Sequence, residues 1–149
     1  MQISKLTKEL FPEAVELVLR AELDTREEIE HHLQHVDAHF VAIENDKVIG
    51  VIGWYQDTVH YADAAMGDKF PGEDAYWVGF FAVDKEHQGH GIGSALIKQL
   101  EEVVKSMGAD TLWVSSVPET KSYYESKGFS LVCEGEIRGN QKYFFSKSI

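Results

Sequence analysis

Apolar residues recur along this chain with two periods, and the switches between them mark its elements. Residues 1–6 read as a short strand. From Phe11-Pro12 onward, Ala14, Val15, Val18 and Leu19 form one helical stripe. Thr25 followed by Glu28 has capping-box spacing, which predicts a second helix to about Gln34. Residues 40–44 and 48–55 are β-rich, and Asn45-Asp46-Lys47 between them reads as a hairpin turn. Residues 56–74 show no period, and loops this long often carry function, so a lid or acceptor loop is expected there. Residues 75–83 are a nearly continuous apolar run, as in a central strand buried on both faces. Residues 91–107 make the clearest helix, with Ile92, Leu96, Leu100, Val103 and Met107 as its stripe and Gly108 as its stop. A strand over 111–115, a short helix over 119–127 ended by Gly128, and strands over 129–134 and 142–145 complete the chain. The resulting order, β-α-α-β-β-β-α-β-α-β-β, predicts an α/β (α+β) fold with helices on both faces of the sheet. Residues 75–115 should form a right-handed parallel βαβ crossover.

Composition narrows this further. A chain of 149 residues suits a single domain, 1–149, and is long enough to bury a core without disulfides or metals. The one cysteine, Cys133, has no internal partner and is expected to be a small inert core residue. Lys5, Lys8 and Glu9 interrupt any signal-peptide core, and no apolar run reaches membrane-spanning length. A cytoplasmic protein is therefore expected, with no membrane partner. The net charge of −11 speaks against nucleic-acid binding. Its distribution is uneven: residues 1–75 carry 6 Lys+Arg against 16 Asp+Glu, and residues 76–149 carry 8 against 9. Such a field either solvates the surface or attracts a cationic substrate.

The chemistry concentrates after the apolar run. Phe80-Phe81-Ala82-Val83 leads through residues 84–88 into Gly89-His90-Gly91-Ile92-Gly93-Ser94 and a long helix. Glycines let backbone approach a ligand, and the first amides of a helix favour an anion such as a phosphate or pyrophosphate. A turn that merely reverses the chain has the same glycines. No lysine stands where a P-loop needs one. A Rossmann fingerprint is excluded because five residues separate Val83 from Gly89 and Ser94 holds the third glycine's place.

The loop resembles the GNAT superfamily of acyl-CoA-dependent N-acyltransferases. Its Gln/Arg-x-x-Gly-x-Gly/Ala signature is matched by Gln88, Gly91 and Gly93. A second element of that family, a tyrosine followed at a set distance by Gly-Phe, is matched by Tyr124 with Gly128-Phe129. The resemblance implies a central mixed, mostly antiparallel sheet splayed at its parallel pair. It implies acetyl-CoA as co-substrate and no metal. Phe81, Ala82 and Val83 would offer backbone to the pantetheine arm. Gln88, Gly89, His90, Gly91, Ile92, Gly93 and Ser94 would cradle the pyrophosphate. Tyr124 would protonate the departing thiolate, with Tyr123 as a packing aromatic. His90 stands where the family often has Lys or Arg. Two departures matter: Val117 and Thr120 replace the usual Asn and Ala, and no carboxylate occurs from Tyr76 to Val83. The general base is therefore open among Glu73, Asp74, Asp57 and His60.

The activity expected is acetyl transfer to a primary amine, in the first place a small cationic one, by direct attack in a ternary complex. A protein or peptide acceptor and a non-catalytic acyl-CoA-binding module are the alternatives. A homodimer is compatible with this reading. His31, His32, His35 and His39 cluster, but no cysteine or well-placed carboxylate completes a zinc site, so a solvated helix face is expected. Trp54 and Trp77 are expected to pack.

Overall fold

The computed structural model describes residues 1–149, which fall into two compact units. The first comprises Met1–Trp54 and Gly79–Glu102, and the second Tyr55–Val78 and Val103–Ile149.

In the first unit, β1 (Gln2–Lys5), β2 (His39–Glu44) and β3 (Lys47–Gln56) pair antiparallel in chain order. Asn45 and Asp46, at φ 52° and 63°, make the two-residue turn between β2 and β3. Two left-handed central residues match the twist of paired strands, which is why Asn and Asp stand there. Helix α1 (Phe11–Arg20) starts on its Pro12 and buries Ala14, Val15, Leu17 and Val18. Helix α2 (Arg26–Leu33) is capped as expected: the Glu28 amide donates to Thr25 Oγ1 at 3.2 Å. The reciprocal bond comes from Asp24, whose Oδ1 accepts the Thr25 amide at 2.8 Å. Ile29 and Leu33 of α2 join the α1 stripe, Val41, Val48 and Val51 in one core.

The second unit holds α3 (Asp63–Met66) within the stretch expected to be irregular. Its sheet runs β4 (Tyr76–Val78), β6 (Thr111–Ser116), β8 (Asn140–Ser148), β7 (Ser130–Ile137). The β4–β6 pair is parallel, with Tyr76 opposite Leu112 and Trp77 opposite Trp113. The β1–β2, β2–β3, β3–β5, β6–β8 and β7–β8 pairs are antiparallel, so the mixed, mostly antiparallel pairing is as expected. Arg138 (φ 53°) and Gly139 (φ 80°) form the β7–β8 turn. Gly135 lets β7 pass under α3; a Cβ there would sit 2.6 Å from the Ala65 carbonyl.

Two expectations change. The apolar run over 75–83 is not one strand: β4 ends at Val78, and β5 (Ala82–Val83) pairs with β3. Gly79 makes the break, because its amide donates to the Gly53 carbonyl at 2.7 Å and a Cβ there would lie 3.4 Å from that peptide. The long helix is α4 (Ile92–Ser106), which buries Ile92, Leu96, Ile97, Leu100 and Val104. Val104 therefore takes the place expected for Val103, and Met107 is exposed beyond the helix end.

Candidate active site

The loop between β5 and α4 is fixed at its entry. The Asp84 amide donates to the Ile49 carbonyl at 2.7 Å, in register with the β3–β5 pairing. A 3-10 turn, Lys85–His87, follows. His87 Nδ1 donates to Asp84 Oδ2 at 2.8 Å, and His87 Nε2 lies 3.5 Å from Glu44 Oε2. Gln88 Nε2 reaches back to the Val83 carbonyl at 3.2 Å. The signature glutamine thus closes the loop onto the strand end. The Asp84–His87 pair was not read from the sequence; the i, i+3 spacing is its local signal, and its reach to Glu44 needed the fold.

Past this anchor the backbone turns left-handed twice, at Gly89 (φ 84°) and Gly91 (φ 79°). A Cβ at either position would meet nothing within 4 Å. Glycine is therefore required by the dihedral, while the side facing outward is open to a ligand. The first bond of α4 runs from the Ala95 amide to the Gly91 carbonyl. The amides of Ile92 and Gly93 consequently begin the helix with no carbonyl one turn back, where the positive end of the dipole lies. Ile92 is 5% exposed and contributes to this face through its backbone only. Gln88, Gly89, His90, Gly91 and Ser94 are exposed. Phe81, Ala82 and Val83 bring the chain to the loop, with Val83 opposite Gly50 and Ala82 opposite Val51.

Tyr124 is the one buried residue of α5 (Lys121–Ser126). Its ring meets Phe129 at 5.6 Å, Phe145 at 6.3 Å and Tyr123 at 5.6 Å. Burial pushes its hydroxyl well above the ordinary phenol range. Tyr123 is only half-buried, under the ammonium of Lys127, so packing falls to Tyr124 more than to Tyr123. Thr120, one of the two departures, spends its hydroxyl locally: it lies 2.8 Å from Ser116 Oγ and donates to the Val117 carbonyl at 3.3 Å.

The base candidates separate. Asp57 is 1% exposed, and its two oxygens accept the Tyr61 and Ala62 amides at 2.9 Å each. These bonds hold the turn that leads into α3. His60 is exposed and hydrogen-bonds Glu73 and, at 3.1 Å, Asp63. These bonds raise its pKa, the Glu73 bond most and the Asp63 bond second. Glu73 is tied up in that pair, and the Asp74 carbonyl accepts Gln56 Nε2 at 3.0 Å. No group of three or more His, Cys, Asp or Glu could hold a metal ion.

The histidine cluster is not a uniform solvated face. His39 is 3% exposed, with Nδ1 donating to the His35 carbonyl at 2.9 Å. Desolvation pushes it down to about 4. His32 is half-buried, and its ring stands edge-on to Phe80 at 5.4 Å and 85°. Desolvation, helped by His31, also lowers its pKa. Cys133 is partly exposed and packs beside Trp77 and Phe144.

Residues 3–129 match the family model described as acetyltransferase (GNAT) family. The chain belongs to that family. Over 93 residues it is 30% identical to N-alpha-acetyltransferase 30 of Schizosaccharomyces pombe. That match covers 60% of this chain and 55% of the relative, so it spans about half of that protein's length. Solved GNAT structures share the fold from end to end. A ribosomal-protein-alanine N-acetyltransferase from Brucella melitensis superimposes with a TM-score of 0.76 at 17% identity, covering 100% of both chains. An aminoglycoside 6'-N-acetyltransferase complexed with coenzyme A gives 0.75 at 16% identity, over 99% of this chain and 97% of that one. No helix is long and apolar enough to cross a membrane.

Proposed function

We propose that this GNAT protein transfers the acetyl group of acetyl-CoA to a primary amine, in the first place a small cationic one. The observation that carries the cofactor site is the open double left-handed turn at Gly89 and Gly91, running directly into the N-terminus of α4. On this reading residues 88–94 take the pyrophosphate through their amides, with His90 beside it. Phe81, Ala82 and Val83 lead the pantetheine arm along the chain like an added strand. The amine nitrogen attacks the thioester carbonyl carbon, the C–N bond forms, and the C–S bond breaks. Tyr124 supplies the proton that the leaving thiolate takes. Its raised pKa keeps the hydroxyl protonated throughout the working range. The same shift weakens it as an acid, so the donation is useful only to a thiolate that has itself left water.

The small cationic acceptor rests on charge: the acidity lies in the first 75 residues, at 6 Lys+Arg against 16 Asp+Glu. A second reading, acetylation of a protein N-terminus, is favoured by the likeness to N-alpha-acetyltransferase 30. A screen following free CoA thiol, with spermidine, lysine, aromatic amines, neutral and acidic amino acids, and short peptides bearing free N-termini, separates the two. A clear preference for acidic amino acids would remove the electrostatic argument.

The cofactor site has its own test. Acetyl-CoA at a hundred times its Kd should stabilise the fold by about 2.7 kcal/mol. Gly91→Glu places a strained residue and a negative charge on the turn. It should abolish the thermal shift; a full shift in that variant refutes the loop assignment.

A further inference from the structure

We propose that His87 is a positioning residue of the pyrophosphate cradle: its imidazole ties the entry of the glycine turn to the end of β2, and so fixes where the cradle's amides stand. This rests on the cofactor reading above, and it concerns a side chain that need not touch the cofactor itself.

The inference comes from what holds the turn and what does not. All the residues concerned belong to the first unit. Residues 88–91 are exposed, and a Cβ at Gly89 or Gly91 would meet nothing within 4 Å. The turn therefore takes its position from the residues at its two ends. At the exit, Ile92 is buried and packs over β3, where a Cβ on Gly50 would lie 3.3 Å from its Cγ2. At the entry, His87 does the matching work. Its amide donates to the Asp84 carbonyl at 2.8 Å, and its Nδ1 donates to Asp84 Oδ2 at 2.8 Å. Its Nε2 lies 3.5 Å from Oε2 of Glu44, the last residue of β2. The Asp84 amide is in turn bonded to the Ile49 carbonyl of β3 at 2.7 Å. One imidazole thus joins the loop to both strands of the β2–β3 hairpin, to β2 directly and to β3 through Asp84.

Two physical consequences follow for binding. The His87 side chain is 28% exposed and that of Asp84 12%, so this pair is less screened by water than a surface ion pair. Removing the ring leaves like charges, Asp84 and Glu44, on both sides of the space it filled, and their repulsion moves the loop away from β2. A cradle already in place spares the cofactor the cost of ordering it. Losing one hydrogen bond to a carboxylate is worth about tenfold in affinity.

Calorimetry on the whole chain tests this, with acetyl-CoA as ligand and ADP, which carries a pyrophosphate and no pantetheine arm, as competitor. His87→Ala should raise the Kd of both by the same factor, about tenfold. His87→Asn, whose amide donates from near the Nδ1 position, should restore binding to within about threefold of the parent. Asp84→Ala should match His87→Ala, and the double variant should bind no more weakly than either single one, as for one shared contact. An acetyl-CoA Kd within about threefold of the parent in both alanine variants overturns the proposal, whatever their melting temperatures. So does a loss for acetyl-CoA that ADP does not share, because the effect then lies on the pantetheine side. Gly91→Glu tells this failure from that of the cofactor reading. If that variant binds acetyl-CoA like the parent, the loop assignment falls and the proposal with it. If it does not bind, the loop assignment stands whichever way the His87 variants behave.

Discussion

Single side chains carry two separable burdens in this protein, chemistry and packing, and Tyr124 carries both. Its ring fills a pocket between Phe129 and Phe145, so Tyr124→Leu should be destabilising in addition to any catalytic loss. Tyr124→Phe keeps the ring and deletes only the hydroxyl. It should lower kcat by about 10²–10⁴-fold with little change in melting temperature or in the acetyl-CoA KM. A loss under threefold would leave Tyr124 a packing residue only. His39 makes the opposite case, a titratable group with no place in the chemistry. It is buried neutral, with a pKa pushed from 6.5 to about 4. Between these values the unfolded chain binds the proton and the folded one does not, so stability falls as pH drops from 6.5 toward 4. The full penalty is on the order of 3 kcal/mol, and above 6.5 it vanishes. His39→Asn retains a donor near the Nδ1 position. Its urea midpoint should lie below that of the parent at pH 7.5, and the gap should narrow toward pH 4.5.

At the level of elements, β2 and β3 depend on what His39 faces. In their register His39 lies opposite Gly53, and a Cβ at 53 would run into the imidazole. Gly53→Ala should cost about 1–3 kcal/mol. Combined with His39→Ala it should cost less than the sum, which a double-mutant cycle reads directly. Here the sequence was readable in part. Local rules placed what local chemistry decides: Thr25 at the start of α2, Asn45-Asp46 in the hairpin, and Gly89 and Gly91 before α4. What depends on distant partners was not readable. Residues 75–83 have the composition of one strand, and the break at Gly79 exists because Gly53, far off in sequence, offers its carbonyl. The 3.6-residue stripe of α4 was followed past its end to Met107, because the turn at Gly108 and the Ala109 amide bonding the Val104 carbonyl come from the C-terminal cap. α3 is one turn of Asp63-Ala64-Ala65-Met66, too short for a period, and is held by Asp57 and by contact with Gly135. At the site, the loop was legible from glycine spacing, whereas the reach of His87 to Glu44 carries no signal in sequence until the fold brings β2 beside the loop.

For the molecule as a whole, net charge makes the sharpest prediction. At −11 the protein should gather cationic acceptors by long-range attraction, which salt screens. Raising ionic strength from 0.02 to 0.2 M, both about the usual assay range, should increase the KM for spermidine more than that for acetyl-CoA. An equal rise in both would show that the acceptor does not feel the field. A lysine-like amine is neutral in only about one molecule in 2,500 at pH 7, so rates should climb steadily with pH up to about 9. The division of the chain into units has a further consequence, for synthesis. All residues of the first unit lie at or before Glu102, so a nascent chain possesses them while the rest is still being translated. The second unit is different: β8, which lies between β6 and β7 and pairs with both, leaves the ribosome after both of them. β4, α3, β6 and β7 must therefore wait, with Trp77 lacking its Phe144 contact, until residues 140–148 emerge. A stalled chain ending at Gly139 should show native protease resistance in the first unit alone, because β6 and β7 then lack the strand that lies between them.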